Sequence, residues 1–581
     1  MQKNFNPVER FRAVEFDRDW NLRHRTVSGN EHLFSGSLRY WHRQAGTSRY
    51  RFEYLSYQNG YQGYKNQLNT NLQYNTYHLE FQGNLLKTKG ATSHTDFIRY
   101  QAHASKHFHH LVAGIKNHAE YNRWQRDTLM NQSFSFNEWR FYLRSPDSLT
   151  NQYFINYQIR NDRRPKQGQL RPVAQGQDLN VGVKIHSLKK QRLTARITYR
   201  QLNIPDTSWT DSRPEDHLIG RIEHSMHLFQ NLLRTSTHLE VGSGLEPRKE
   251  FTYIEVPDGQ GVYNWSDYND NGLKELDEFE KARFQDQADY LRVYRPSGEY
   301  FKTHTHEFNQ TLHLNPAQAI RDTGFFARLA SRFSDQLAYR IRRKNQQDRF
   351  WKNLNPFAYH IENQDVLSQS SNLRNTLSFN KGRSSYHLDY IFLISQSKSL
   401  LMNGTQLQED HKHGLHLTWN INEALTLLNH SSVSDQRYQS EFFENKNYRL
   451  QNLKESFSMR YHPSPAMRFE LGYEFADMNN LQGPEKAFQH KIDLDVQISR
   501  VNKFRLQGKT SFIHFDYNAP QNTPVAYQML QGLKPGKNAT WSLILQKEIY
   551  QNLDLNLNYS GRTSQGHRTI HTGQVELRAS F

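Results

Sequence analysis

Gln574-Val575-Glu576-Leu577-Arg578-Ala579-Ser580-Phe581 closes the chain, and its reading decides the fold. Successive side chains of a strand point to opposite faces. Val575, Leu577, Ala579 and Phe581 therefore share one face, and Glu576, Arg578 and Ser580 share the other. The chain stops on an aromatic residue in phase with its apolar face. The same period of two recurs inward. Leu553, Leu555, Leu557 and Tyr559 alternate with Asp554, Asn556, Asn558 and Ser560. Ile492, Leu494, Val496 and Ile498 alternate with Lys491, Asp493, Asp495 and Gln497. Near the other end, Tyr77, Leu79, Phe81 and Leu85 alternate with His78, Glu80, Gln82 and Asn84. Helical spacing is scarce.

Composition fits a sheet with one apolar and one wet face. Only 36% of the 581 residues are hydrophobic and the mean hydropathy is -0.91, yet 13% are aromatic. Disordered chains are poor in aromatics, so lean hydrophobicity here does not mean disorder. No run of about 18 apolar residues exists, which excludes transmembrane helices. Strands of about 10–14 residues are longer than those of most soluble sheets and match a tilted membrane crossing. There are no cysteines, hence no disulfides and no thiolate chemistry.

Connections alternate in length when read back from Phe581. Tyr550–Asn552, Arg500–Asn502, His462–Pro465 and Asn422–Glu423 read as tight turns. Tyr517–Ala539, Met478–Phe488, Ser434–Asn452 and Gln396–His411 read as long loops. In the N-terminal half the contrast fades, with short connections at Asn59-Gly60 and Lys89-Gly90. Short turns on one side and long loops on the other are the habit of outer-membrane barrels. The expected fold is an all-β transmembrane antiparallel β-barrel of about 24–26 strands, with short periplasmic turns and long extracellular loops. The terminal strand resembles the C-terminal assembly signal of bacterial outer-membrane β-barrel proteins, carried by Val575, Leu577, Ala579 and Phe581. That resemblance implies the barrel assembly machinery and outer-membrane lipid as partners.

Residues 1–30 read as a lead-in segment or first strand, and 31–581 as the barrel. Met1-Gln2-Lys3-Asn4-Phe5-Asn6-Pro7 carries no apolar signal core, and the pattern opens midway, which favours the C-terminal part of a longer protein. The formal charge of +17 raises nucleic acid as a partner. Lys and Arg are, however, scattered through alternating strands rather than gathered in one patch, so no nucleic-acid partner is expected.

The irregular segments are 163–176, 246–299 and 343–369, all on the side read as extracellular. Residues 246–299 form a loop insertion containing Asp267-Tyr268-Asn269-Asp270-Asn271-Gly272-Leu273-Lys274-Glu275-Leu276-Asp277-Glu278. Side-chain oxygens at loop positions 1, 3 and 5, a glycine at 6 and a glutamate at 12 give the spacing that wraps Ca²⁺. Asp267, Asn269, Asn271, the Leu273 carbonyl and Glu278 are the candidate metal ligands, for one Ca²⁺. An acidic surface turn that binds nothing is the alternative. The motif resembles EF-hand and dockerin-type loops, departing from them at Lys274 and in lacking an incoming helix.

Val256-Pro257-Asp258-Gly259-Gln260-Gly261-Val262-Tyr263 runs into that loop. With Gly532–Trp541, Tyr559–Arg562, His571–Gly573 and Arg12–Trp20, it resembles large outer-membrane proteins of Bacteroidota. The resemblance implies a location and an architecture, not a substrate. Two histidine pairs, His107 with His109 and His304 with His306, have the spacing of a shared strand face. Gly-x-Ser-x-Gly, His-Glu-x-x-His and phosphate-binding glycine loops are missing, so no enzyme is expected. The favoured function is passage of a solute, or translocation or assembly of a surface component, with periplasmic or surface proteins as further partners. Two readings stand beside it: a secreted, calcium-stabilised β-rich adhesin or glycan-binding protein, and a C-terminal fragment of a longer barrel protein.

Overall fold

The computed structural model describes residues 13–22, 30–58, 60–90, 93–186, 190–205, 215–320, 324–346, 355, 361–362, 364–382, 385–401, 404–500, 503–550 and 553–579. Phe581 and Ser580 of the terminal pattern lie outside them, as do most of the tight turns at Tyr550–Asn552 and Arg500–Asn502. The chain falls into two compact units, residues 1–224 and 225–581. Twenty-seven strands run from β1 (Glu31–His42) to β27 (Ile570–Ala579). Two of them, β13 (Tyr263–Trp265) and β14 (Phe279–Lys281), are three residues long. The long strands therefore number twenty-five among the described residues. Every described pairing is antiparallel, and nearly all join strands adjacent in sequence.

Within the first unit, β2 (Gly46–Tyr57), β3 (Gln62–Tyr74), β4 (Tyr77–Lys89), β5 (His94–His107), β6 (Val112–Gln125) and β7 (Phe134–Arg144) pair in order. In the second, β19 (Gly404–Asn420) through β20 (Leu425–Ser440), β21 (Tyr448–Ser464), β22 (Met467–Asn480), β23 (Lys486–Arg500), β24 (Phe504–Tyr517), β25 (Gly536–Tyr550), β26 (Leu553–Ser564) and β27 do the same.

Register explains the alternation. Directly opposed residues share a face, and Phe457, Tyr473, Ile492 and Phe512 form one cross-strand row. Leu427, Met459, Leu471 and Leu494 form the next. On the other face of the same strands lie Arg460, Glu470, Lys454, Glu474, Asp493 and Asp495. This is the two-faced chemistry of a transmembrane barrel wall.

Three of the expected irregular stretches turn out to be largely strand: in 163–176, β8 (Gln152–Lys166) and β9 (Gln169–Ile185) pair down to Lys166↔Gln169. Gln396–His411 is a hairpin in which Leu400 opposes Thr405 and Leu401 opposes Gly404. Much of 246–299 also belongs to β12 (Leu233–Glu255) and β15 (Tyr290–Leu314), whose pairing holds from Leu233↔Leu314 to Glu255↔Tyr290. The irregular part of that insertion is 256–289. Ser434–Asn452 shortens likewise to 441–447. The reason is physical: beyond the apolar belt both faces of a strand meet polar surroundings, so alternation vanishes while the hydrogen-bonded ladder continues.

Candidate functional site

Burial on the second unit is inverted. Ile492 is 49% exposed, Leu471 50% and Phe512 60%, whereas the side chain of Glu474 is 12% exposed and that of Asp495 18%. In water this arrangement is upside down, because burying charge costs far more than burying a leucine. The charged face is neutralised pair by pair. Arg460 binds Glu470 at 2.8 Å, Lys454 binds Glu474 at 2.7 Å, Arg468 binds Asp495 at 3.2 Å and Lys491 binds Asp493 at 2.9 Å. Such pairs are individually worth about 0–1 kcal/mol when solvated. Their effect is to keep that face wet, charged and ordered.

At the long-loop end of this unit the charged face changes character. Leu450, Met478, Ala487, Ile513 and Phe515 turn the same way as the charged residues and bury against a short helix, α2 (Pro524–Met529). Its N-cap Thr523 accepts from the Ala526 N–H, and Pro524 sits in its first turn. Insertion 256–289 docks beside it. Lys446 Nζ donates to the Phe279 carbonyl and pairs with Glu280, both at 2.8 Å. The Arg283 N–H donates to Tyr527 Oη, and Tyr527 in turn donates to the Lys281 carbonyl. Arg562 on β26 grips Asp286 with two nitrogens, one at 2.7 Å, while its guanidinium lies over the Phe284 ring. The insertion and α2 together cover this end of the charged face.

The insertion brings the five candidate calcium ligands into one loop. Both Asp267 oxygens accept backbone N–H bonds, from Asn271 at 3.2 Å and Gly272 at 2.8 Å. Asn269 Oδ1 accepts from the Asn271 N–H and Asn271 Oδ1 from the Leu273 N–H. Gly272 takes φ 74°, which the sharp turn at position 6 requires. Glu278 is buried, and its oxygens accept from Trp265 Nε1 at 2.8 Å, the Tyr268 N–H at 3.1 Å and the Glu275 N–H at 3.3 Å. The incoming segment is strand β13, not helix. Lys274, the departure from the motif, ties the loop to β12 through Glu255 at 2.7 Å. That bond holds the exposed Glu255 carboxyl below its ordinary range.

Sequence reasoning missed a second assembly, in the first unit. Helix α1 (Ala13–Asp19) and the residues after it lie on the inward-turned face of β2–β6. Trp20 is buried against Leu55, Tyr57, Leu86 and Phe97. Arg18 pairs with Glu120 at 3.0 Å, Asp19 with Arg99 at 2.6 Å, and Asn21 with Asn122 at 2.9 Å. Lys65 stacks over the Trp20 ring and faces Asp19 and Glu53. A signal was present: Tyr54-Leu55, Leu85-Leu86 and Phe97-Ile98 place apolar residues on both faces at once, which a strand with one wet face has no reason to do.

In the terminal strand, Val575 and Leu577 are exposed and oppose Leu557 and Leu555 on β26. Of the histidine pairs, His304 and His306 share a face of β15, but β5 ends at His107 and His109 falls in the following connection, edge to face with His110.

Comparison with protein-family models and with characterised proteins gives no match. Solved structures give low-scoring superpositions. The FrpB iron transporter of Neisseria meningitidis aligns at 7% identity and TM-score 0.31, over 87% of this chain and 80% of that one. The ferric-catecholate import receptor Fiu of E. coli K12 aligns at 9% identity and TM-score 0.30, over 95% and 80%. The copper transporter OprC aligns at 9% identity and TM-score 0.31, over 96% and 80%. At these scores the reading of the fold rests on the sheet's own register and faces.

Proposed function

We propose that the chain is an outer-membrane β-barrel, non-enzymatic, that passes a solute or moves or assembles a surface component. The inverted burial carries this reading: the exposed face of the sheet is the apolar one, and the shielded face bears the ion pairs. Closed barrels satisfy every backbone hydrogen bond in hydrocarbon, and interior residues set their selectivity. Here the paired charges of β19–β26 would line the passage, with the insertion narrowing it. The motifs shared with large outer-membrane proteins of Bacteroidota belong to the same reading.

Outer-membrane lipid and the barrel assembly machinery are the partners it requires, the second through Val575, Leu577, Ala579 and Phe581. The protein is expected to stay with outer membranes through high-salt and carbonate washing, and to lose that position when Phe581 is deleted. Recovery of the intact chain in the soluble fraction without detergent would defeat the barrel, and normal membrane levels after the deletion would defeat the recognition role.

The loop Asp267–Glu278 is read as a site for one Ca²⁺. Its Asx turns leave second lone pairs on Asp267, Asn269 and Asn271, and the Leu273 carbonyl supplies a further oxygen. Glu278 would exchange some of its N–H donors for the ion. Extracellular calcium modules bind at about 10⁻⁴–10⁻³ M. On whole cells, a chelator is expected to raise protease cleavage within 256–289, and Glu278→Gln to reproduce that effect with calcium present. Cleavage indifferent to chelator, with no calcium binding by calorimetry, would leave only an acidic turn.

A further inference from the structure

His78, Glu80 and His103 stand together on the charged face of β4 and β5. The period of two puts His78 and Glu80 on one side of β4, and Glu80 directly opposes His103 across the ladder. One ligand atom from each residue lies within 4.8 Å of the other two. His103 Nδ1 is 3.9 Å from the nearer Glu80 oxygen, and the two imidazole rings meet edge to face with centroids 5.6 Å apart. The other nitrogen of His103, Nε2, is hydrogen-bonded to Tyr142 Oη at 2.7 Å. Tyr142 can reach it because its cross-strand partner is Gly114, where a Cβ would lie 2.2 Å from the tyrosine ring.

We propose that His78, Glu80 and His103 bind one divalent transition-metal ion. Two neutral imidazoles and a carboxylate are a donor set that Zn²⁺ and its neighbours favour, with water completing the shell. Metal–ligand distances of about 2.0–2.2 Å keep two ligand atoms at most about 4.4 Å apart. Gathering the trio therefore takes a small side-chain rotation, not a backbone shift. His103 would bind through Nδ1, while Nε2–H donates to Tyr142, the kind of outer hydrogen bond that fixes an imidazole's tautomer and direction. Lys116, opposite His103 on β6, works against the ion, because its ammonium repels a cation placed there. The site needs only β4 to β7, so it stands or falls independently of whether the chain conducts a solute.

The test is a Zn²⁺ titration, by calorimetry with a competing chelator, of the full chain folded in detergent micelles, each variant checked for strand content by circular dichroism. One equivalent should bind tightly. His78→Ala and His103→Ala should each weaken it by at least about tenfold, and Tyr142→Phe, which keeps the ring over Gly114, by a smaller factor in the same direction. Lys116→Gln should tighten it. The chain holds 29 histidines, so a signal unchanged by both His103→Ala and Tyr142→Phe would belong to other residues and overturn the proposal. Absence of a tight equivalent in the unaltered protein would overturn it as well.

Discussion

A chain carrying Ile492→Arg together with Leu494→Arg is expected to disappear from the carbonate-resistant membrane fraction. Both residues lie at the centre of the exposed apolar rows, beside Tyr473, Leu471 and Phe512. An arginine on the lipid face near the bilayer midplane costs about 2–4 kcal/mol. Two together approach the lower end of the roughly 5–15 kcal/mol that holds most folded domains. The paired control is Gln497→Glu, one step out of phase on the same strand, which turns a new carboxylate toward its register partner Arg468. That change should be tolerated. The readout is the membrane pellet after carbonate, with heat-dependent migration on gels as the sign of a folded sheet. Equal recovery of the double arginine variant would mean the apolar rows do not face lipid.

Trp20→Ala is expected to release α1 from the first unit while leaving the strands intact. Truncating a buried tryptophan typically costs about 3–5 kcal/mol, and here the loss falls on one short segment. The ion pairs of Arg18 and Asp19 are partly solvated and hold little by themselves. Because the chain has no cysteine, Leu55→Cys places a single thiol beneath Trp20. Maleimide labelling at that thiol should be slow with Trp20 present and at least about tenfold faster with Trp20→Ala, since each 1.4 kcal/mol shifts an equilibrium tenfold. If the passage reading holds, conductance in planar bilayers should rise in step. Identical labelling rates would show that α1 does not shield this face.

What the sequence disclosed and what it hid follow from the same alternation. Ile492, Leu494, Val496 and Ile498 were legible because they fall on a face that repeats every second position, and the structure sets Ile492 opposite Tyr473 and Leu494 opposite Leu471. The turn at Asp267–Glu278 was legible because its spacing is local, and the structure does bring Asp267, Asn269, Asn271, Leu273 and Glu278 into one loop. Strand ends were not legible. Leu400, Leu401 and Met402 run consecutively between Ser399 and Gln406, so no period of two marks where the ladder stops, although Leu400 still opposes Thr405 and Leu401 still opposes Gly404. Helix α1 was hidden for a different reason. Its partners Leu55, Leu86, Phe97 and Glu120 come from four strands, and only register brings them together. The His78–Glu80–His103 cluster is the same kind of object: two residues spaced by two, and a third supplied by the neighbouring strand.

The docking of insertion 256–289 also orders events in time. Nearly all strand pairings join neighbours in sequence, so they close small loops and can form hairpin by hairpin with little entropic penalty. The insertion is different. Its anchors lie far downstream: Lys446 is 167 residues from Phe279, Tyr527 is 246 from Lys281 and Arg562 is 276 from Asp286. None of these partners is in place until β20, β24 and β26 have been laid down. Seating the insertion therefore closes loops of 167 to 276 residues, against the few residues that close each hairpin, so it depends on those distant strands being formed. A seated lid is in that sense a record of completion: it closes only where β20, β24 and β26 already stand.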